Sequence, residues 1–230
     1  MWTDYELIDS GNGKKFERFG QYTFVRPESQ AIWFPKNTNW QADGVFVGDE
    51  EAGRWRFNQP VPQRWEMIYG GIKFWAEATP FRHLGVFPEQ FSQWEWMVSK
   101  KPQNVLNLFG YTGIASLILA KNGTKVTHVD ASKKTIFWAR ENQKLSGLED
   151  KPIRWIFDDA LKFVEREARR GVKYDGIILD PPKFGRGPAG EIWKIEESLP
   201  ALLLECANIL CEKPLFVNLT TYAIRLSSYS

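Results

Sequence analysis

The sequence predicts an α/β protein: a doubly wound, mostly parallel sheet in residues 81–230, preceded by a small β-rich module in residues 1–80. Three observations lead there. After Pro80 nearly continuous apolar runs alternate with amphipathic stretches, the pattern of strands covered by helices on both faces. Before Pro80 the apolar segments are short and separated by turn residues. Just after four of the later runs stand glycines, carboxylates and prolines, and a parallel sheet gathers its ligands beyond the carboxyl ends of its strands.

In the first module Tyr5–Ile8, Phe16–Phe19 and Tyr22–Val25 read as β segments, with Asp9-Ser10-Gly11-Asn12-Gly13 linking the first two and Arg26-Pro27 ending the third. Eight of the eleven tryptophans precede residue 97. Such density suits either a base-stacking surface or the filling of a small β core, and the module's acidic balance favours the core. The second part opens with a helix over Pro88–Val98. Strands follow at Val105–Phe109, Lys125–Asp130, Ile153–Phe157, Gly176–Asp180 and Leu215–Leu219, with helices at Ile114–Asn122, Lys133–Leu145, Ala160–Arg170 and Glu191–Leu210.

With 230 residues, 43% of them hydrophobic, the chain can bury an ordinary core. The N-terminus carries no secretory pattern and the most apolar helical stretch, Ala201–Leu210, is far too short to span a bilayer. A soluble cytoplasmic protein with no membrane partner is therefore expected, and its oligomeric state is not legible. Two histidines, His83 and His128, and two cysteines, Cys206 and Cys211, give no metal-ligand spacing, so no metal is expected. The cysteines, five apart on one helix, suit buried apolar positions and not a disulfide. Residues 1–80 hold 9 basic against 11 acidic side chains, and residues 81–230 hold 21 against 17. Attraction for a nucleic-acid backbone would come from the second part.

Four positions carry candidate chemistry. The first is Asn107-Leu108-Phe109-Gly110-Tyr111-Thr112-Gly113, running into a helix: glycines let backbone approach a ligand, and a helix N-terminus favours an anionic group. The same stretch also suits a plain tight turn. Asp130, closing the second strand before Ala131, can accept hydrogen bonds from ribose hydroxyls. The GxGxxG fingerprint of a dinucleotide site is absent, since no glycine sits two before Gly110. After the third strand Asp158, Asp159 and Ala160 offer a carboxylate for an adenine amino group, although one aspartate would serve as a helix cap. The most specific feature is Asp180-Pro181-Pro182-Lys183-Phe184. Its prolines fix the backbone, so that the carboxylate and the proline carbonyls face an incoming base edge on which Phe184 can stack.

Together the stretches Val105–Gly113, Val129-Asp130-Ala131-Ser132, Asp158-Asp159-Ala160 and Asp180–Phe184 resemble the class I S-adenosylmethionine-dependent methyltransferases that modify large-subunit ribosomal RNA, in particular the cytosine-C5 enzymes and their guanine-methylating relatives. Gly85–Gln90 resembles the family's stretch before the cofactor domain. The resemblance implies a Rossmann-like sheet, S-adenosylmethionine as cofactor and a nucleobase of ribosomal RNA as substrate. It places Asn107, Phe109, Gly110 and Gly113, with Tyr111 and Thr112 between them, along the methionine part. Asp130 and Ala131 fall at the ribose, Asp159 with Asp158 and Ala160 at adenine, and Phe87 and Gln90 where they would close the site. Asp180, Pro181, Pro182 and Phe184 become the catalytic group, with Asp180 also bordering the cofactor.

Two departures qualify it. Cytosine-C5 transfer requires a cysteine thiolate, which in these relatives follows the fifth strand. Here that place reads Val217-Asn218-Leu219-Thr220-Thr221-Tyr222, which points to a ring or amino nitrogen as target. The family's sheet also continues past the fifth strand whereas this chain stops at Ser230, so a C-terminally truncated domain is expected. A cofactor-binding RNA module without turnover is the second reading, and a nicotinamide-dependent oxidoreductase the third.

Overall fold

The computed structural model describes residues 2–49 and 52–221, so Tyr222 lies outside the described residues. They form two compact units, Met1–Glu89 and Gln90–Ser230.

In the first unit β1 (Tyr5–Gly11), β2 (Lys14–Phe19), β3 (Tyr22–Pro27), β4 (Gly44–Gly48) and β5 (Gly53–Phe57) make one sheet in chain order, and β6 (Arg64–Tyr69) pairs with β7 (Ile72–Glu77). The first strand runs to Gly11, beyond the expected Ile8. Asn12 and Gly13 take left-handed φ, 50° and 71°, which suffices for a two-residue hairpin turn. Phe19, Phe24, Met67, Ile72 and Phe74 are fully buried, and Trp2 and Trp65 join them with their indole N–H groups donated to the carbonyls of Ile68 and Phe19. Those tryptophans fill a core, as the acidic balance suggested. A buried pair braces the sheet: the Arg26 guanidinium donates twice to Glu17 at 2.8 Å, and the Tyr5 hydroxyl donates to the same carboxylate.

The second unit is the doubly wound sheet. After a 3₁₀ turn at Pro88–Gln90 come α1 (Phe91–Ser99), β8 (Asn104–Leu108), α2 (Ile114–Lys121), β9 (Lys125–Asp130), α3 (Lys133–Leu145), β10 (Ile153–Phe157), α4 (Ala160–Arg169) and β11 (Gly176–Leu179). The hairpin β12 (Phe184–Arg186) and β13 (Ile192–Lys194), α5 (Ile195–Asn208) and β14 (Phe216–Leu219) complete it. The five long strands are all parallel in the order β10-β9-β8-β11-β14. α1 packs on α2 and α2 on α3, while α4 packs on α5, the two-layer cover that the apolar runs require. Between β8 and β11 the winding reverses, and that switch point is where such a sheet opens a crevice.

One expected element is corrected. Residues 191–210 are not one helix: Glu191 stands in a turn, Ile192–Lys194 is a strand paired with Phe184–Arg186, and the helix begins at Ile195. The alternation of exposed Ile192, buried Trp193 and exposed Lys194 is a strand's period of two, too short a run to outweigh the helical pattern after it. No helix among the described residues is long and apolar enough to cross a membrane, and no cluster of metal-ligating side chains occurs among them.

Candidate active site

Leu108 of β8 has Val129 of β9 and Leu179 of β11 as its register partners, so three loops leave the sheet at one level. The first, Phe109–Gly113, is strained. Phe109 (φ 57°), Tyr111 (φ 52°) and Gly113 (φ 82°) are all left-handed, an arrangement that costs a non-glycine residue about 1–3 kcal/mol and persists where surroundings impose it. Those surroundings are visible. The Gly110 amide donates to the Val129 carbonyl at 3.1 Å, and the Tyr111 amide to Asp130 Oδ2 at 2.9 Å. Past the loop, the first-turn amides of α2 have no carbonyl one turn behind them, and Gly113 at the cap gives them no side-chain acceptor.

The two glycines answer to packing more than to a ligand. A Cβ on Gly110 would come 2.3 Å from His128 Cε1, and one on Gly113 would come 2.9 Å from Ala139 Cβ at a φ that already disfavours it. Beneath the loop lies a buried polar chain: the Asn107 amide donates to Ser116 Oγ at 2.9 Å, and Ser116 Oγ lies 3.0 Å from His128 Nδ1. Burial drives the His128 pKa down to about 3, so its ring is neutral. Asn107 thus braces β8 against α2 with its side chain and, like Leu106 and Leu108 beside it, is buried. The Thr112 carbonyl accepts from Asn142 at 2.9 Å, and the Tyr111 ring lies 6.2 Å from that of Trp138.

Asp130 closes β9 and is largely engaged. Its Oδ2 accepts from Tyr111 N, and its Oδ1 from Ser132 N at 2.9 Å and Thr135 Oγ1 at 2.7 Å. A carboxylate offers about four acceptor sites, which leaves one for a ligand hydroxyl where two were expected. Burial nevertheless raises its pKa despite those donors. Ala131 follows it, half-buried, at the mouth of the loop. Beyond β10, both aspartates have structural tasks, which the sequence left to one of them. Asp159 caps α4 by accepting from Lys162 N at 3.0 Å, while Asp158 accepts from Asp159 N and pairs with Arg166. Ala160 is buried at the first turn of α4, and Asp159 Oδ2 accepts no hydrogen bond among the described residues.

Beyond β11, Asp180 Oδ2 accepts from Gln90 Nε2 at 2.7 Å, which brings two expected site residues together. Pro181 is buried behind it. Pro182 departs from expectation: its carbonyl is not open to a base, because the Trp193 indole N–H takes it at 2.7 Å. Phe184 opens β12 with its ring 54% exposed, free to stack. Phe87 packs within the first unit, its ring 5.5 Å from that of His83. Cys206 is buried in the α5 core, where burial pushes its thiol up to about 12, and Cys211 lies just past that helix. Cys206 therefore offers no thiolate to a substrate. Sequence reasoning missed Ser116, His128, Thr135, Arg166 and Trp193. Only Ser132, a serine just ahead of a helical run, carried a local signal, that of an N-cap.

A family model described as S-adenosylmethionine-dependent methyltransferase matches residues 45–213. A crystal structure of the SAM-dependent methyltransferase from Agrobacterium tumefaciens is 52% identical with a TM-score of 0.94, covering 100% of this chain and 76% of that one. Ribosomal RNA large subunit methyltransferase I of Aeromonas salmonicida is 39% identical over 52% of this chain and 31% of its own length. Ribosomal RNA large subunit methyltransferase K/L of Shewanella frigidimarina is 35% identical over 58% of this chain and 19% of its own. The chain thus spans less than a third of either curated relative.

Proposed function

Because the chain belongs to the S-adenosylmethionine-dependent methyltransferase family, we propose that it methylates a nucleobase nitrogen of ribosomal RNA, holding the cofactor at Phe109–Gly113 and the base at Asp180–Phe184. The register carries this reading: Leu108 and Leu179 are partners on adjacent strands, so the two segments leave the sheet side by side at the switch point.

The residues present fit the cofactor. The amides heading α2 suit its carboxylate, the remaining acceptor site of Asp130 suits one ribose hydroxyl, and Asp159 Oδ2 suits an amino group. When bound, the sulfonium supplies an electrophilic methyl group. Everything else is positioning and polarisation by the chain. Asp180, its Oδ2 fixed by Gln90, accepts a hydrogen bond from the target amino group, increases electron density on that nitrogen and takes the proton released on alkylation. The exposed ring of Phe184 offers a face on which the base stacks. Carbon alkylation by a thiolate finds no support, because Thr220 and Thr221 follow β14 and Cys206 is buried and protonated.

Ribosomal RNA as the substrate rests on the similarity to ribosomal RNA large subunit methyltransferases and on the excess of basic residues after position 80. From that substrate we infer a cytoplasmic location. The test is transfer of tritium from methyl-labelled S-adenosylmethionine to unmodified ribosomal RNA, transfer RNA and ribosomal protein in parallel. Label in a nitrogen-methylated base of ribosomal RNA is expected. Cofactor binding with no label in RNA would sink the substrate assignment and leave an RNA-binding module without turnover.

A further inference from the structure

Trp193 is absent from the chemistry above, yet it touches both halves of the site. It stands in β13, 6% exposed, with its ring centroid 4.8 Å from that of Phe109 and its N–H on the Pro182 carbonyl. A buried indole N–H ordinarily finds some acceptor, so the bond alone signifies little. What matters is where the contacts fall. Phe109 is the first left-handed residue of one loop, and Pro182 lies two residues past Asp180 in a segment whose prolines limit backbone adjustment. A displacement of the Phe109 ring therefore has a direct route to Asp180 through one rigid side chain.

The hairpin around Trp193 is tied to that segment by backbone hydrogen bonds. Gly185 is the register partner of Trp193, and the Ile195 amide donates to the Lys183 carbonyl at 3.0 Å. Its turn is tied down as well: Glu191 accepts from the Ala189 amide at 2.8 Å and pairs with Lys162 of α4. Phe184 and Arg186, both exposed, ride on this hairpin.

We propose that Trp193 is a positioning residue that couples the Phe109–Gly113 loop to the Asp180–Phe184 segment, so that filling the first fixes the second. The inference rests on the reading that one holds the cofactor and the other faces the base. It makes Trp193 the means by which the base-facing groups are set only when a methyl donor is in place.

The experiment follows amide hydrogen exchange of the whole chain with and without S-adenosylhomocysteine, which needs no RNA. In the wild type the ligand should slow exchange both at 109–113 and at 183–195. Trp193→Phe keeps a ring against Phe109 and removes the donor to Pro182. In it the slowing should persist at 109–113 and shrink by about fivefold or more at 183–195, the scale of ordinary site coupling. A role in packing alone would lower the melting temperature and leave the ligand-dependent slowing equal in both segments, which would overturn the proposal. So would wild-type protection confined to the loop. Should Trp193→Phe melt below the assay temperature, Phe109→Leu interrupts the same route from the other side, and the same loss at 183–195 is expected. No slowing at 109–113 in the wild type would instead refute the cofactor assignment itself, and absence of label in RNA would refute the substrate while leaving the exchange result standing.

Discussion

Asp130→Asn separates the two tasks of that carboxylate. The amide replacing it can keep its oxygen toward Ser132 N and Thr135 Oγ1, now 2.9 and 2.7 Å from Oδ1. Its NH₂ then faces the Tyr111 amide, donor against donor, where Oδ2 now accepts at 2.9 Å. A hydrogen bond to a charged group is worth about 1.5–3 kcal/mol, and Tyr111 holds its left-handed φ against a strain of about 1–3 kcal/mol, so the loop should relax. Calorimetric titration with S-adenosylhomocysteine should show binding about 10- to 150-fold weaker. Stability should change little. Because burial raises the Asp130 pKa, the stability associated with its protonated form is present below the unfolded value and lost as pH rises through the folded one. At neutral pH the charge is a cost that the amide removes, offsetting part of the lost bond. A folded Asp130→Asn protein with wild-type affinity would refute the account of how the loop is held.

Three further outcomes are expected. Asp180→Ala should lower methyl transfer about 10²–10⁴-fold with cofactor affinity little altered, whereas Phe184→Ala should cost about 1–3 kcal/mol in RNA binding and little stability, since that ring is exposed; turnover and titration on each purified variant decide both. Cys206→Ser with Cys211→Ser should retain transfer but melt earlier, because Cys206 lies in the α5 core, and a covalent complex trapped on 5-fluorocytosine RNA would contradict this. Since His128 titrates near 3 when folded and near 6.5 when unfolded, its contribution is present above 6.5 and is lost as pH falls toward 3, amounting to roughly 2 kcal/mol by pH 5. Thermal melts between pH 7 and 4.5 should be less pH-dependent in His128→Gln than in the wild type, and parallel curves would contradict the buried neutral ring.

The long strands and their helices were legible because largely apolar runs of strand length alternate with longer amphipathic stretches, and β9, β10 and α3 have the bounds the sequence suggested. The β12–β13 hairpin was not legible, since three residues of alternation carry almost no periodic signal beside a fourteen-residue helix. At the site, residue types identified the right positions but not their partners. Asp130 and Asp158 read as acceptors awaiting a ligand, and nothing local to either announces Thr135 five residues on or Arg166 eight residues on. Asn107 illustrates the limit best. Its amide is engaged by Ser116, nine residues away on α2, a contact that exists only once strand and helix have packed.

That pattern of occupied side chains bears on how the site recognises its cofactor. Most acceptors that sequence reasoning assigned to the ligand are already engaged within the protein, Asp130 by the loop and by α3, Asp159 and Asp158 by α4, leaving about one acceptor site on Asp130, one oxygen on Asp159 and the amides heading α2. Recognition therefore falls largely to main chain held in a strained shape, and the side chains act by maintaining that shape. A site of this kind binds with little reorganisation, because the left-handed turns at Phe109 and Tyr111 are already made and are sustained by contacts below them. Substitutions beneath the loop, at Ser116 or Thr135, should then weaken cofactor binding although neither side chain faces the ligand, and the effect should exceed what their loss of stability alone explains.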